Sequence, residues 1–192
     1  VTRPDAAALE AAADQVVDDV LPADVRLLFV GINPGLWTAA VNAHFARPGN
    51  RFWPALHRAG LTARLVDASC GMDERDLADL EARGIGITNL AARATRRADQ
   101  ISAEELREGG QRLERLVAQR RPRVVAVAGV TAYRTAFGRR RATAGRQPED
   151  LAGAELWVLP NPSGLNAHET LDSLARAYAA AARAAGVTPR GE

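Results

Sequence analysis

Lysine is missing altogether from this 192-residue chain, so all 25 of its basic residues are arginine. A Schiff base needs a primary amine, so lysine-dependent lyase or aldolase chemistry is excluded unless the terminal amine serves. A GC-rich coding bias is the ordinary reading of the arginine usage, in keeping with the alanine excess, and the chemical exclusion holds whatever the origin. Cysteine is nearly absent too. Cys70 stands alone, which rules out an internal disulfide and a cysteine-rich metal site and suits a reducing compartment. The three histidines, His44, His57 and His168, lack ligand spacing, so no metal site and no cofactor are expected. No apolar run nears the roughly 20 residues that a membrane span needs. No signal-peptide pattern opens the chain, and the expectation is a cytoplasmic protein without membrane contact.

What is present is the material of a folded core. Hydrophobic residues make up 47% of the chain, which excludes a disordered polymer, and the length suits one α/β domain spanning 1–192. The net charge is only +2, yet the pI is about 9.3. An alanine-rich amphipathic stretch predicts a helix over 5–20. Short, mostly apolar runs at 25–30 and 124–128 read as buried strands, with further short strands at 85–89 and 156–159. Helices are predicted between them at 51–59, 73–83 and 131–137. A long helix opens at Ser102, whose Ser-Ala-Glu-Glu pattern is a capping box with Glu105. A hairpin or irregular segment occupies 139–153, a closing helix 169–185, and a flexible polar tail 187–192. Strands alternating with helices predict a three-layer α/β/α sandwich around a short, mainly parallel sheet. In such folds the site lies outside the carboxyl ends of the strands, so the loops after Val30, Asn89, Ala128 and Leu159 are the ones to read.

The first of these is Gly31-Ile32-Asn33-Pro34-Gly35. Pro34 biases Asn33 toward an extended conformation, and the glycines let a ligand approach the backbone. A rigidly held asparagine can orient a water through its carbonyl oxygen but is a poor base. It suits a reaction whose electrophile is already cationic, where positioning outweighs basicity. Asn-Pro-Gly is also ordinary turn chemistry. The last loop, Asn161-Pro162-Ser163-Gly164-Leu165-Asn166, repeats the Asn-Pro opening after a strand. Leu165 at its tip is either folded onto the core or a wedge that enters a base stack. Phe45, in a loop with Pro48 and Gly49, could stack on a base, whereas Phe52 and Trp53 are expected in the core. Arginine groups at 47/51, 93/96/97 and 139–141 make a phosphate-tracking rim plausible beside the ordinary reading of a solvated face. No carboxylate pair is evident on the site edge.

Taken together, these loops resemble the mismatch-specific uracil-DNA glycosylase and thymine-DNA glycosylase family, within the uracil-DNA glycosylase superfamily. The likeness runs through Phe29–Gly35, His44–Trp53, Gly86–Leu90, Arg93–Thr95, Ser102–Gly110 and Asn161–Leu165, most of residues 26–178. It implies that Asn33 positions the hydrolytic water, and that Ile32, Phe45, Asn89 and Asn161 hold a flipped base. Gly164, Leu165 and Asn166 would form the wedge, with Arg47, Arg51, Arg93 and Ser163 touching phosphates or nearby DNA. The implied protein is a monofunctional DNA N-glycosylase acting on double-stranded DNA, and because nothing in the sequence marks a dimer seam a monomer is expected. Two positions depart from the family. Ala92 stands where many members carry an acid, and Ala167 where some carry arginine, which leaves catalytic assistance and preference for a guanine partner open. A nucleoside or nucleotide hydrolase on a similar sheet, and a damage-binding protein with weak catalysis, are the competing readings.

Overall fold

The computed structural model describes residues 3–164, 166 and 169–191. Five strands form one sheet in the order β2-β1-β3-β5-β4. They are β1 (Leu27–Gly31), β2 (Ile85–Asn89), β3 (Val124–Ala128), β4 (Gly145–Leu151) and β5 (Ala154–Leu159). All pairings are parallel except β4 with β5. β1, β2 and β3 are buried along their whole length, which explains the unbroken apolar character of β1 and β3, whereas β2 ends on the buried polar Thr88 and Asn89. Successive side chains of a strand point to opposite faces, and each face has its own core. Leu27 and Phe29 pack with Phe52, Leu56, Leu80 and Tyr178 from α3 (Phe52–Arg58), α4 (Glu74–Arg83) and α7 (Leu171–Ala184). Leu28 and Val30 pack with Leu113, Val117 and Tyr133 from α5 (Ala103–Arg120) and α6 (Val130–Phe137). The expected three-layer α/β/α arrangement is therefore present.

The N-terminal segment departs from expectation. The helix α1 covers only Ala6–Ala11, and Asp14 adopts a left-handed conformation (φ 61) that breaks it. The β-branched stretch that follows pairs instead with the sheet region: Val20 and Ile87 exchange two backbone hydrogen bonds of 2.9 and 2.8 Å. This covers the outer edge of β2, which would otherwise offer unpaired backbone groups. A short helix α2 (Leu36–Ala40) directly after Asn-Pro-Gly was not foreseen. Predicted strand 156–159 begins two residues earlier and pairs with β4 across the anticipated hairpin. The tail is packed down: Val187 and Pro189 are buried, and the Arg190 N–H donates to the Gly60 carbonyl at 2.9 Å. No helix among the described residues is long and apolar enough to cross a membrane.

Candidate active site

The loops leaving the carboxyl ends of β1, β2, β3 and β5 surround a cavity of about 180 Å³. Ile32, Asn33, Phe45, Arg47, Asn89, Asn161 and Ser163 all line it, so seven of the twelve residues expected from sequence converge on one hollow. Thr95 lines it as well, together with the exposed Arg96 and Arg97. No carboxylate is present among the described lining residues. Arginines without acids favour an anionic ligand or a charge that becomes negative during reaction.

Asn33 is held by one end of its amide. Its Nδ2 donates to the Thr95 hydroxyl at 2.7 Å and the Pro34 carbonyl at 2.9 Å, with the Arg93 carbonyl at 3.3 Å. The Thr95 hydroxyl donates onward to the Arg97 carbonyl at 2.7 Å, so toward Asn33 its oxygen acts as an acceptor. The Asn33 carbonyl oxygen accepts no bond from any described residue and remains available. Such an oxygen can accept a hydrogen bond from a water, but an amide is too weak a base to take its proton.

Phe45 has φ 55, the left-handed region that a bulky residue enters only under constraint. One ring face stacks on the fully buried Phe52, with centroids 3.9 Å apart and planes inclined by 15°. The stack makes Phe45 a rigid wall of the cavity. Phe52 and Trp53 are core residues, as expected. Beneath the ring, Gly31 has to be glycine: a Cβ there would stand 2.4 Å from Asn89 Oδ1 and 3.2 Å from Phe45. Neither the Ile32 nor the Phe45 backbone N–H donates to another described residue, which leaves two donors at the cavity wall.

Two arginines expected at phosphates do other work. The Arg51 guanidinium donates to the carbonyls of Ser163 and Asn166, each at 2.8 Å, and to that of Glu169. Its own N–H donates to Pro162 at 3.0 Å. Arg51 thus ties the last loop to α3, because only the five-donor fork of arginine reaches several carbonyls at once. Arg93 forms a two-pronged pair with Glu105 at 2.5 and 3.2 Å and a second pair with Asp14 at 3.0 Å. It fastens the loop after β2 to the start of α5, and four of its five N–H groups are bonded within the chain. Arg47, by contrast, is exposed and makes no ion pair among the described residues.

Of the expected wedge, Gly164 packs where a Cβ would meet the Gly49 carbonyl at 2.6 Å, which joins the tip of one loop to the other. Asn166 donates to the Asn161 carbonyl at 3.1 Å, and Asn161 Oδ1 accepts from the Ser163 N–H at 2.9 Å. Leu165, and Ala167 beyond it, lie outside the described residues. Ala92 is half-buried and does not line the cavity. Among the described residues no group of three His, Cys, Asp or Glu side chains gathers as metal ligands. Thr95 and His44 are functional candidates that residue-by-residue reading passed over; Thr95 could be seen only as part of a matching stretch.

The model of the uracil DNA glycosylase superfamily matches residues 19–183. Among solved structures, the chain is similar to the solution NMR structure of a candidate uracil DNA glycosylase from Methanosarcina acetivorans. The TM-score is 0.57 and the identity 19%, over 89% of this chain and 98% of that one. At this identity the likeness speaks for the fold, while the family match spans all five strands and every loop around the cavity. The chain belongs to the uracil DNA glycosylase superfamily.

Proposed function

We propose that this member of the superfamily is a mismatch-specific, monofunctional glycosylase that extrudes uracil or a related damaged base from duplex DNA and hydrolyses its N-glycosidic bond. The observation that carries the reading is the anchoring of Asn33: three acceptors engage its amide nitrogen and leave its carbonyl oxygen unengaged. Extrusion of a base costs a few kcal/mol, less from a mismatched pair, so selection begins before the cavity is reached. The base enters with one face on Phe45. The Ile32 and Phe45 N–H groups donate to its carbonyl oxygens, and these bonds strengthen as the base leaves as an anion. The sugar becomes cationic as the bond to the base breaks. The water held by Asn33 attacks it, forming the C–O bond, and the proton it loses ends on the departed base anion. The products are the free base and an abasic site. Without lysine, no side chain can go on to form a Schiff base with that product. Asn161 lies beside the extruded nucleotide, Leu165 is the wedge in this reading, and Arg47 holds a phosphate.

The test is single-turnover base release from duplexes carrying uracil opposite guanine, uracil opposite adenine, or uracil in a single strand. Release is expected, fastest from the guanine mismatch. Asn33→Ala should lower it by about a hundredfold or more while duplex binding persists. Equal rates on all three substrates remove mismatch specificity, and an unchanged rate in Asn33→Ala removes Asn33 from the chemistry.

A further inference from the structure

Behind the cavity wall lies a histidine that sequence spacing excluded as a metal ligand. His44 is buried. Its Nε2 lies 3.0 Å from the Asp18 carbonyl oxygen, and its Nδ1 lies 3.3 Å from Asn89 Nδ2. A carbonyl oxygen only accepts, so Nε2 carries the hydrogen. In the neutral ring Nδ1 is then bare and only accepts, which turns the Asn89 NH2 group toward it. The Asn89 carbonyl oxygen is left beside Gly31, where a Cβ would stand 2.4 Å from it, on the lining of the cavity.

The surroundings keep the ring neutral. Burial lowers the His44 pKa below its ordinary value, and this outweighs the Asp19 charge, the hydrogen bond to the Asp18 backbone and the Asp18 charge, which raise it. Asp18 and Asp19 are the acids facing the ring, and Glu81 of α4 lies along the same groove. From α3 the contact is neutral: the Trp53 indole N–H donates to the His44 carbonyl at 2.9 Å. On the Phe45 side the aromatic ring centroid is 6.4 Å away.

We propose that His44 is a positioning residue that holds Asn89 as an obligate hydrogen-bond acceptor toward the cavity, and so restricts the cavity to bases presenting a ring N–H at that point. The proposal rests on the glycosylase reading. Uracil, thymine and deaminated purines carry such a hydrogen on their pairing edge. Cytosine and adenine present a bare ring nitrogen there, which would set two acceptors against each other in a buried space. A site built to bond an N–H can reject an analogue lacking it by about 10⁴-fold. Without His44 the Asn89 amide could turn over and offer its NH2 group, which would welcome the wrong class.

Two measurements on the full chain test this. The first is ¹⁵N NMR of the free protein. His44 is expected as the neutral Nε2–H tautomer at about pH 7, with its Nδ1 coupled through the hydrogen bond to the Asn89 side-chain amide. An Nδ1–H tautomer or a charged ring overturns the proposal. The second compares single-turnover release of uracil and cytosine from otherwise identical duplexes. His44→Leu should narrow the preference for uracil by at least about tenfold. His44→Gln, which can both donate to Asp18 and accept from Asn89, should restore most of it. A fall of equal proportion on both bases overturns the proposal, since that is what a merely structural histidine would give. If the unaltered protein releases neither base, the glycosylase reading fails, and the tautomer measurement still decides whether His44 fixes Asn89.

Discussion

Thr95 serves Asn33 through a single oxygen. Its proton is committed to the Arg97 carbonyl and its lone pair receives the Asn33 amide, so the hydroxyl decides which end of that amide faces away. Valine keeps the shape and removes the oxygen. Thr95→Val should therefore slow base release by about 10- to 100-fold while duplex binding stays close to wild type. Thr95→Ser, which keeps the hydroxyl, should recover most of the rate. A valine variant that releases base at the wild-type rate would show that Pro34 and Arg93 hold Asn33 unaided. Asn33 and Phe45 were legible in the sequence because a strand end, a proline turn and a glycine-bearing loop are local features. Thr95 and His44 were not, because their partners lie 62 and 45 residues away and only the fold brings them together. Arg51 and Arg93 were read as phosphate contacts, and the bonds each makes within the chain were not legible for a related reason. A solvated arginine and a strut look alike in sequence, and what separates them is the set of carbonyls and acids they meet.

At the scale of elements, α5 sets the position of the loop that carries Thr95. Its start was predictable, since Ser102 and Glu105 cap each other reciprocally at 2.9 and 3.1 Å. Its glycine pair was not explained until the packing was known: a Cβ at Gly109 would lie 2.2 Å from the Leu90 carbonyl oxygen. Alanine gains about 1 kcal/mol of helix propensity over glycine, but here it must displace backbone, and overpacking costs about 1–3 kcal/mol. Gly109→Ala should thus lower Tm by a few degrees, whereas the same change at an open helical site would raise it. A rise in Tm would mean that α5 can shift freely against β2. The Glu105 carboxylate has a further role. Its hydrogen bonds from Arg93 and from Ser102 hold its pKa down to about 2 from an ordinary 4.5. Between those values the unfolded chain binds more protons than the folded one, so stability rises with pH there. The contribution is complete above about pH 4.5 and disappears as pH falls toward 2. The difference in Tm between the protein and Glu105→Gln should accordingly shrink as the pH is lowered through that window. A difference that stays constant would assign Glu105 to capping alone. By contrast, α1 was read too long because alanine propensity continues past Ala11, while the edge of β2 offers the following residues a better use of their backbone.

For the whole molecule, the net charge of +2 conceals an uneven distribution. Many arginines are neutralised where they stand: Arg26, Arg58, Arg64, Arg83, Arg139, Arg146 and Arg190 all face acids. At the mouth of the cavity Arg47 and Arg96 are exposed and make no ion pair among the described residues, and no acid lines the hollow beside them. The field that meets DNA there comes from few charges, which makes each one measurable. Every phosphate neutralised adds about 0.9 to the slope of log K against log salt. Arg47→Gln should reduce that slope by about 1 and weaken binding to matched and mismatched duplexes alike. Arg93→Gln should leave the slope unchanged, because its guanidinium is already held by Glu105 and Asp14, and should instead loosen the Thr95 loop and slow base release. The two variants remove the same formal charge, so nonspecific loss of positive charge predicts equal slopes for both. Unequal slopes would follow only if the fold has divided its arginines into those that hold the site together and those that hold the substrate.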